Sequence, residues 1–204
     1  MIIRWNGHSC FTLETAQGTV VLDPYAPGSV PGLPELKLKA DAVLCSHGHA
    51  DHNYAQGVAL SGRPCAVSVE TLPCFHDSVQ GAKRGPDLIH ILSAEGMRIA
   101  HLGDLGHGLD LEQLEKLRGV DVLMIPVGGY FTIDARQAHH IVEELRPRIV
   151  LPMHYRGEGF GYEVLAPVGD FLALTEGPVE RYPGSSLKMT KDTPAQTAVL
   201  TCPQ

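Results

Sequence analysis

Three histidines and an aspartate occur together in residues 47–52, directly after an apolar segment. Imidazole and carboxylate groups are common ligands of first-row metals. Because residues two apart in an extended chain share a face, His47 and His49 can bind one ion. Asp51 and His52 can hold a second ion if the chain then turns into a helix. The spacing therefore predicts a site for two metal ions rather than a polar loop that is rich in histidine by chance.

The segment 46–52 resembles the HxHxDH signature of the metallo-β-lactamase fold superfamily. In that family a histidine, a bridging aspartate and a last histidine follow, and His76, Asp104 and His154 match this order. Taken singly, each could be a turn former or a structural histidine. Their order and contexts together favour metal ligands.

The resemblance implies two metal positions that share one carboxylate. His47, His49 and His76 are expected to bind the first ion, and Asp51, His52 and His154 the second, with Asp104 bridging both. Two cations lower the pKa of water toward ~7 and polarise a carbonyl or phosphoryl oxygen. Zinc suits these donors, and manganese and iron also accept them.

The resemblance is closest to a branch of small Zn-dependent hydrolases, similar to the relatives of ascorbate-6-phosphate lactonase and N-acyl-phosphatidylethanolamine phospholipase. Residues 76–85, 101–107 and 126–129 resemble the patterns HDxxxGxxRG, HLGDLGH and PVGG of that branch. The implied structure is one α/β (α+β) domain over residues 1–204, a four-layer αββα sandwich with the metal site at one edge. These motifs do not define the substrate.

The expected activity is metal-dependent hydrolysis of a small-molecule ester, lactone, amide or phosphodiester, with Asp51 and Asp104 in the catalytic centre. A serine or cysteine nucleophile is not required. Three alternatives share the fold or the ligand set: a di-iron redox protein, an RNA-processing nuclease, and a metal-binding protein without catalysis. A redox relative would need a flavin region for which 204 residues leave little room.

Four further residues have two interpretations each. His107, close to Asp104, is either a proton donor to the leaving group or an exposed loop residue. Arg84, in a glycine-flanked turn, is either a contact for a substrate anion or a solvated basic side chain. Tyr130 and Tyr155 either line the substrate pocket or pack as ordinary aromatic side chains.

Other polar residues are assigned less specific positions. His8 either reaches the site or caps a hairpin, and Asp77 either orients His76 or caps a turn. The remaining histidines are expected to be structural or on the surface, and they are His90, His101, His139 and His140.

Composition limits the class of protein. The 204 residues are 44% hydrophobic and 19% charged, which fits one well-buried domain. A formal charge of −7 disfavours a nucleic-acid partner. Five cysteines without a C-x-x-C pair indicate reduced thiols. Without a recognisable signal or a membrane-length apolar run, we expect a cytoplasmic protein without a membrane partner, for which a homo-oligomer is compatible with the sequence.

The elements that position these residues follow from the apolar pattern. Helical spacing predicts helices at 111–118 and 135–145, the second with Asp134 as N-cap. A short helix is expected at 51–57 and a loop at 24–39. Apolar runs predict strands at 11–14, 19–23, 42–45, 64–69, 88–92, 97–102, 120–125 and 149–151. Each ligand candidate then follows a strand.

Overall fold

The structure is a computed structural model that describes residues 1–203. Two large β-sheets face each other across one core, and a small two-stranded sheet lies beside them. The helices are α1 Leu111–Leu117, α2 Ala135–Leu145 and α3 Val168–Leu172. In chain order the strands are β1 Ile2–Gly7, β2 Cys10–Thr15, β3 Gly18–Leu22, β4 Leu38–Ala40, β5 Ala42–Leu44, β6 Val58–Leu60, β7 Ser68–Phe75, β8 Pro86–Ala94, β9 Met97–His101, β10 Val122–Pro126, β11 Ile149–Met153, β12 Val179–Arg181, β13 Ser186–Lys188 and β14 Gln196–Val199.

The first sheet has the strand order β13-β1-β2-β3-β5, and the second has the order β12-β14-β11-β10-β9-β8-β7. In the first sheet β1, β2 and β3 form antiparallel hairpins, and β5 then pairs with β3 in parallel. In the second sheet β9, β10 and β11 are parallel, because α1 and α2 connect them as crossovers. The predicted change from hairpins to alternating strands and helices is therefore confirmed.

The core lies between the two sheets. Ile3, Trp5 and Leu13, at alternating positions of β1 and β2, are buried in the same cluster as the strands of the second sheet. The helices cover the other face of the second sheet, and α2 buries Ala138 and Ile141 there. This is the layering expected when each sheet hides one apolar face.

The outer face of the first sheet is covered differently from the predicted helical layer. Val21 packs against Tyr25 and Val30 of the loop after β3 and against Val58 of β6. The short helix expected at 51–57 is wrong in extent, since a turn is followed by a three-residue 3₁₀ helix. Within residues 1–203 that 3₁₀ helix is the helical part of this layer.

The N-cap predicted at Asp134 is confirmed, and Asp110 is a second N-cap that was not predicted. Asp110 and Asp134 each accept a backbone N–H from the first turn of α1 and α2, and each forms a capping box with a glutamine. The strand predicted at 64–69 is wrong in position, because β7 begins at Ser68 and pairs with β8 along its whole length. The outward face of β7 is polar, as is typical of an edge strand, so a search for apolar runs did not identify the strand. No helix within residues 1–203 has the length and apolar character needed to cross a bilayer.

The strand directions place the candidate ligands at one edge of each sheet. Strands β1, β3 and β5 run in the same direction, and their carboxyl ends lead into His8, Asp23 and the segment 46–52. Strands β7, β9 and β11 also share a direction, and their carboxyl ends lead into His76, Asp104 and His154. Ligands from both sheets can therefore converge without disturbing the core.

Candidate metal centre

Four of the predicted ligands, all histidines, lie within 4.0 Å of the buried carboxylate of Asp104. Its Oδ2 lies 3.2 Å from Nε2 of His76 and 3.2 Å from Nε2 of His154. Its Oδ1 lies 3.2 Å from Nε2 of His52. His47 Nε2 is 4.0 Å from Oδ2. Asp104 thus stands between groups from both sheets, which is the position expected of a bridging ligand.

Two groups of side chains around Asp104 match the two predicted metal positions. The ligand atoms of His47, His49 and His76 lie within 4.8 Å of one another. The second group brings Asp51, His52 and His154 together within the same distance, and it also contains His8. The sequence placed His8 either at the site or on a hairpin, and the structure places it beside the second position.

The donor atoms fit divalent metal ions. Within residues 1–203, the buried Nε2 atoms of His47, His52 and His154 and Oδ1 of Asp104 have no hydrogen-bond partner. Their short contacts with one another therefore lack the alignment of hydrogen bonds. A buried polar atom without a partner costs about 1–3 kcal/mol, so several in one cluster are unfavourable unless another group binds them. Nitrogen and carboxylate oxygen donors suit a first-row divalent ion.

Asp104 is charged at neutral pH. Burial alone would raise its pKa, but the adjacent His154 and His52 outweigh burial and hold the pKa well below its ordinary value. A permanent carboxylate between the two ligand groups offers one oxygen to each side.

A buried aspartate orients His52. Asp23 Oδ2 lies 2.8 Å from Nδ1 of His52, and Asp23 also accepts the backbone N–H and the hydroxyl of Ser46 at 2.7 and 2.6 Å. Burial acts to raise the pKa of Asp23, but nearby His101 and the bonds from His52 and Ser46 lower it to about 2. Asp23 fixes the direction of the ring through Nδ1, so Nε2 of His52 points at the centre, where it can bind an ion once its proton is lost.

His47 is oriented by the hydroxyl of Ser46, and a buried carboxylate lies beside the same ring nitrogen. Its Nδ1 lies 2.9 Å from the hydroxyl of Ser46 and 3.2 Å from Oδ1 of the fully buried Asp87. The carboxylate of Asp87 packs against the backbone of Gly103, which has φ of +53°. Only glycine fits there, because a Cβ would lie 2.7 Å from the Asp87 oxygens. The carboxylate of Asp87 and the glycine before Asp104 thus keep the two sheets close at the centre.

A model of the Beta-lactamase superfamily domain matches residues 2–154, a span that contains all seven predicted ligands. The chain belongs to this superfamily. The family predicted from the signature is therefore confirmed.

Known relatives of this superfamily member are named metal-dependent hydrolases. One from Pyrobaculum islandicum is 31% identical over 189 residues, which cover 76% of this chain and 84% of the relative. One from Archaeoglobus fulgidus is 29% identical over 194 residues, which cover 76% and 83%. A crystal structure from Thermotoga maritima, assigned as a Zn-dependent hydrolase of the metallo-beta-lactamase superfamily, has a TM-score of 0.77 and 33% identity, covering 98% of this chain and 97% of that chain. The predictions of the fold class and of a hydrolase of this superfamily are confirmed.

A cavity of about 270 Å³ opens beside the centre of this superfamily member. Arg84 lines this cavity. The Arg84 guanidinium donates to the carbonyl of Tyr130 at 3.0 Å and lies 5.5 Å from the centre of the Phe131 ring. These contacts leave other N–H groups of the guanidinium for an anion. The full lining is His49, Asp51, His76, Arg84, Asp104, Phe131 and Tyr162.

The loop that carries Arg84 is held by Asp77. The Asp77 carboxylate accepts four backbone N–H groups, from Val79, Gly81, Lys83 and Arg84. Burial opposes ionisation, but these bonds lower its pKa to about 2. Of the two roles considered for Asp77, the structure favours the turn, since within residues 1–203 Nδ1 of His76 has no hydrogen-bond partner.

Three expectations about the surroundings of the centre are corrected. Tyr155 does not line the pocket, because it is buried against Trp5 with ring centroids 5.3 Å apart. Tyr130 is 65% exposed, and its carbonyl rather than its ring meets Arg84. His107 bonds to backbone through both ring nitrogens, accepting from Phe75 N–H at 3.1 Å and lying 2.7 Å from the carbonyl of Gly108. Neither nitrogen is then free to protonate a leaving group.

The remaining histidines lie largely where expected. His101 is fully buried, with Nε2 2.9 Å from the carbonyl of Ser9, and His90 is buried in β8. His139 and His140 lie on α2 near glutamates one turn later.

Several contributors to the site were not predicted. Asp23 follows β3 at the same edge as the ligands, so the position after a strand could have identified it. Asp87 is the second residue of β8, and Ser46 comes directly before His47. Neither residue belongs to a motif that indicates a role at a metal site. Tyr162 and Phe131 lie in segments whose position depends on distant contacts, and no local pattern indicates them.

Proposed function

We propose that the protein hydrolyses a small molecule at a centre of two divalent metal ions. The observation that carries this proposal is the convergence of His47, His52, His76 and His154 on the carboxylate of Asp104, with buried donor atoms that have no hydrogen-bond partner within residues 1–203. When bound, the ions would lower the pKa of water toward ~7 and polarise the scissile carbonyl or phosphoryl oxygen.

The residues of the chain divide this work. His47, His49 and His76 would hold the first ion, Asp51, His52 and His154 the second, and Asp104 would contact both. Asp23 holds the imidazole of His52, and the hydroxyl of Ser46 holds that of His47, in the direction that binding needs. Zinc is the metal that we propose, and manganese and iron are the alternatives that the same donors accept.

The proposed substrate is small and carries an anionic group. A cavity of about 270 Å³ holds a compact molecule rather than a polymer segment. Arg84 at its wall can bind a carboxylate or phosphate through two N–H groups. Tyr162 closes another side of the cavity, where its hydroxyl donates to the carbonyl of Ser29 at 2.7 Å and lies 3.3 Å from Oδ2 of Asp51.

The reaction class is therefore hydrolysis of a small ester, lactone, amide or phosphodiester. The acidic charge of −7 favours neither a nucleic-acid nor a membrane partner. We place the reaction in the cytoplasm, on the basis of the five scattered cysteines, which include no C-x-x-C pair.

Metal content and turnover test this proposal together. The purified protein is stripped with a chelator, reloaded with Zn²⁺, Mn²⁺ or Fe²⁺, and assayed on a panel of lactones, carboxylic esters and phosphodiesters with and without an anionic group. Two ions per chain and turnover of an anionic member are expected. Flavin retention with dioxygen uptake, or salt-sensitive binding of RNA, would support the alternative redox or nuclease function instead.

Asp104→Ala provides the matching variant. Without the shared carboxylate, two cations repel each other, so metal content and activity are expected to fall together. Full occupancy by two ions in this variant, measured by elemental analysis, contradicts a bridging role for Asp104.

A further inference from the structure

His8 occupies a position that its own turn does not explain. It lies between β1 and β2 with φ of +52°, a conformation uncommon for histidine, and its side chain is fully buried. Its backbone carbonyl accepts the indole N–H of Trp5 at 2.9 Å and the backbone N–H of His154 at 3.3 Å. The backbone therefore closes the hairpin, and the imidazole takes no part in that closure.

The imidazole of His8 is buried without a hydrogen-bond partner. Among the described residues, neither Nδ1 nor Nε2 makes a hydrogen bond. Such a group costs about 1–3 kcal/mol for each unpaired atom, so its retention needs another explanation. A substrate contact does not supply one, because His8 is not part of the cavity lining.

The groups that face the imidazole are those of the second metal position. Nε2 of His8 lies 3.4 Å from Oδ2 of Asp51, without hydrogen-bond alignment. Its ring centroid is 4.0 Å from that of His154 and 5.2 Å from that of His52. One ligand atom from each of His8, Asp51, His52 and His154 lies within 4.8 Å of the others, so one ion can reach all four. Tyr162 is the other titratable neighbour, at 5.8 Å between ring centroids.

We propose that His8 is an additional protein ligand of the second metal ion, which it binds through Nε2. This inference rests on the proposed centre of two ions. With His8, the second position has five protein donors (His8, Asp51, His52, His154 and Asp104), whereas the first has four. Five donors exceed the tetrahedral set of structural zinc sites, so an ion at the second position would be five-coordinate, which zinc in catalytic sites also accepts.

The first experiment compares metal binding by the wild-type protein and His8→Asn, because asparagine tolerates a positive φ. Titration calorimetry and elemental analysis with Co²⁺ give the affinity and number of ions, and the visible absorption of Co²⁺ reports coordination number. The second equivalent is expected to bind about 10–100-fold more weakly in the variant, since loss of a supporting residue alone has that effect. The first equivalent is expected to be unchanged.

His90→Asn is the matched control. His90 is also buried, with ring nitrogens unpaired among the described residues, but it belongs to neither ligand group. It is expected to leave both equivalents unchanged. Thermal unfolding with a chelator separates a ligand from a structural residue. His8→Asn should leave the stability of the metal-free protein unchanged or raise it, and should reduce only the stabilisation that metal adds.

A measurement on the wild-type protein does not depend on the folding of any variant. Diffraction at the absorption edge of the bound metal should place His8 Nε2 about 2.0–2.3 Å from the second ion. The inference is overturned if His8→Asn binds every ion as tightly as the wild type does. It is also overturned if the ion at the second position lies beyond bonding distance of His8. If the wild-type protein binds fewer than two ions, the proposed binuclear centre is wrong. The inference about His8 then fails only if the bound ion has the same affinity in the wild type and in His8→Asn.

Discussion

Asp23→Asn tests whether a buried carboxylate outside the ligand set controls the second metal position. The residue has φ of 44°, which asparagine tolerates, so the backbone can be kept. The change removes the charge that accepts from His52 and from the N–H and hydroxyl of Ser46. An amide can also donate to Nδ1 of His52, which moves the ring proton to Nε2 and blocks the atom that faces the centre.

The magnitude follows from these three bonds. A hydrogen bond to a charged group contributes ~1.5–3 kcal/mol, and asparagine keeps one acceptor, so the free energy of unfolding without metal is expected to fall by about 3 kcal/mol. Loss of a group that orients a metal-bound histidine lowers metal affinity by about 10–100-fold. The second equivalent of metal should therefore bind weakly while the first is retained.

The assay is metal titration by calorimetry, with chemical denaturation of the metal-free protein in parallel. Asp41→Asn is the matched control. Asp41 is a carboxylate that accepts from Thr19 N–H at 2.8 Å, from the Ser61 hydroxyl and from Arg63, away from the centre. It should lower stability and leave both metal affinities unchanged. If Asp23→Asn binds two ions as tightly as the wild type, the orientation of His52 by Asp23 is not needed for binding, and the reasoning is refuted.

Two further predictions concern the surroundings of the centre, and a third concerns Asp41, which lies away from it. Arg84→Ala should raise KM for an anionic substrate about 10–100-fold, equivalent to ~1.5–3 kcal/mol for a charged hydrogen bond, and leave a neutral ester unaffected; equal loss on both substrates would contradict an anion contact. His107→Gln should leave kcat and its pH profile unchanged, because both ring nitrogens of His107 meet backbone groups, and a large loss of kcat would restore its role as proton donor. Hydrogen bonds from the Ser61 hydroxyl and Thr19 N–H lower the pKa of Asp41 from 3.8 to about 2, so its contribution to stability is present above about pH 4 and is lost as pH falls toward 2; denaturation curves across this range should show a smaller loss in Asp41→Asn than in the wild type.

The cluster of histidines and aspartates was predictable because its members were recognised by residue type, by position near strand ends and by their order along the chain. His47 follows β5 of the first sheet and Asp104 follows β9 of the second, and both strand ends lead to the cluster. His76 follows the polar edge strand β7, and it was identified from the order of ligands in the family. The helices were predictable for a similar reason, α1 from leucines at helical spacing and α2 from Asp134, which caps the first turn of the helix. Residue type and local position in the chain therefore indicate both the ligand candidates and the two helices.

Features that depend on distant contacts were not predictable in the same way. The edge strand β7 has a polar exposed face, so periodicity placed it too early. Tyr155 looked like a pocket residue beside His154, but alternation along the chain turns its ring toward Trp5. His107 is near Asp104 in sequence, yet hydrogen bonds to Phe75 and Gly108 fix its ring elsewhere.

The division of ligands between the sheets has a consequence for how the protein comes apart. Residues 8 and 47–52 extend from the first sheet, whereas His76, Asp104 and His154 extend from the second. Neither sheet can retain an ion in its full set of ligands once the other has moved away. Bound metal would then hold the two sheets together at the edge where the ligands lie. A chelator should therefore allow the two sheets to open separately before global unfolding, and proteolysis should show new cleavage near that edge.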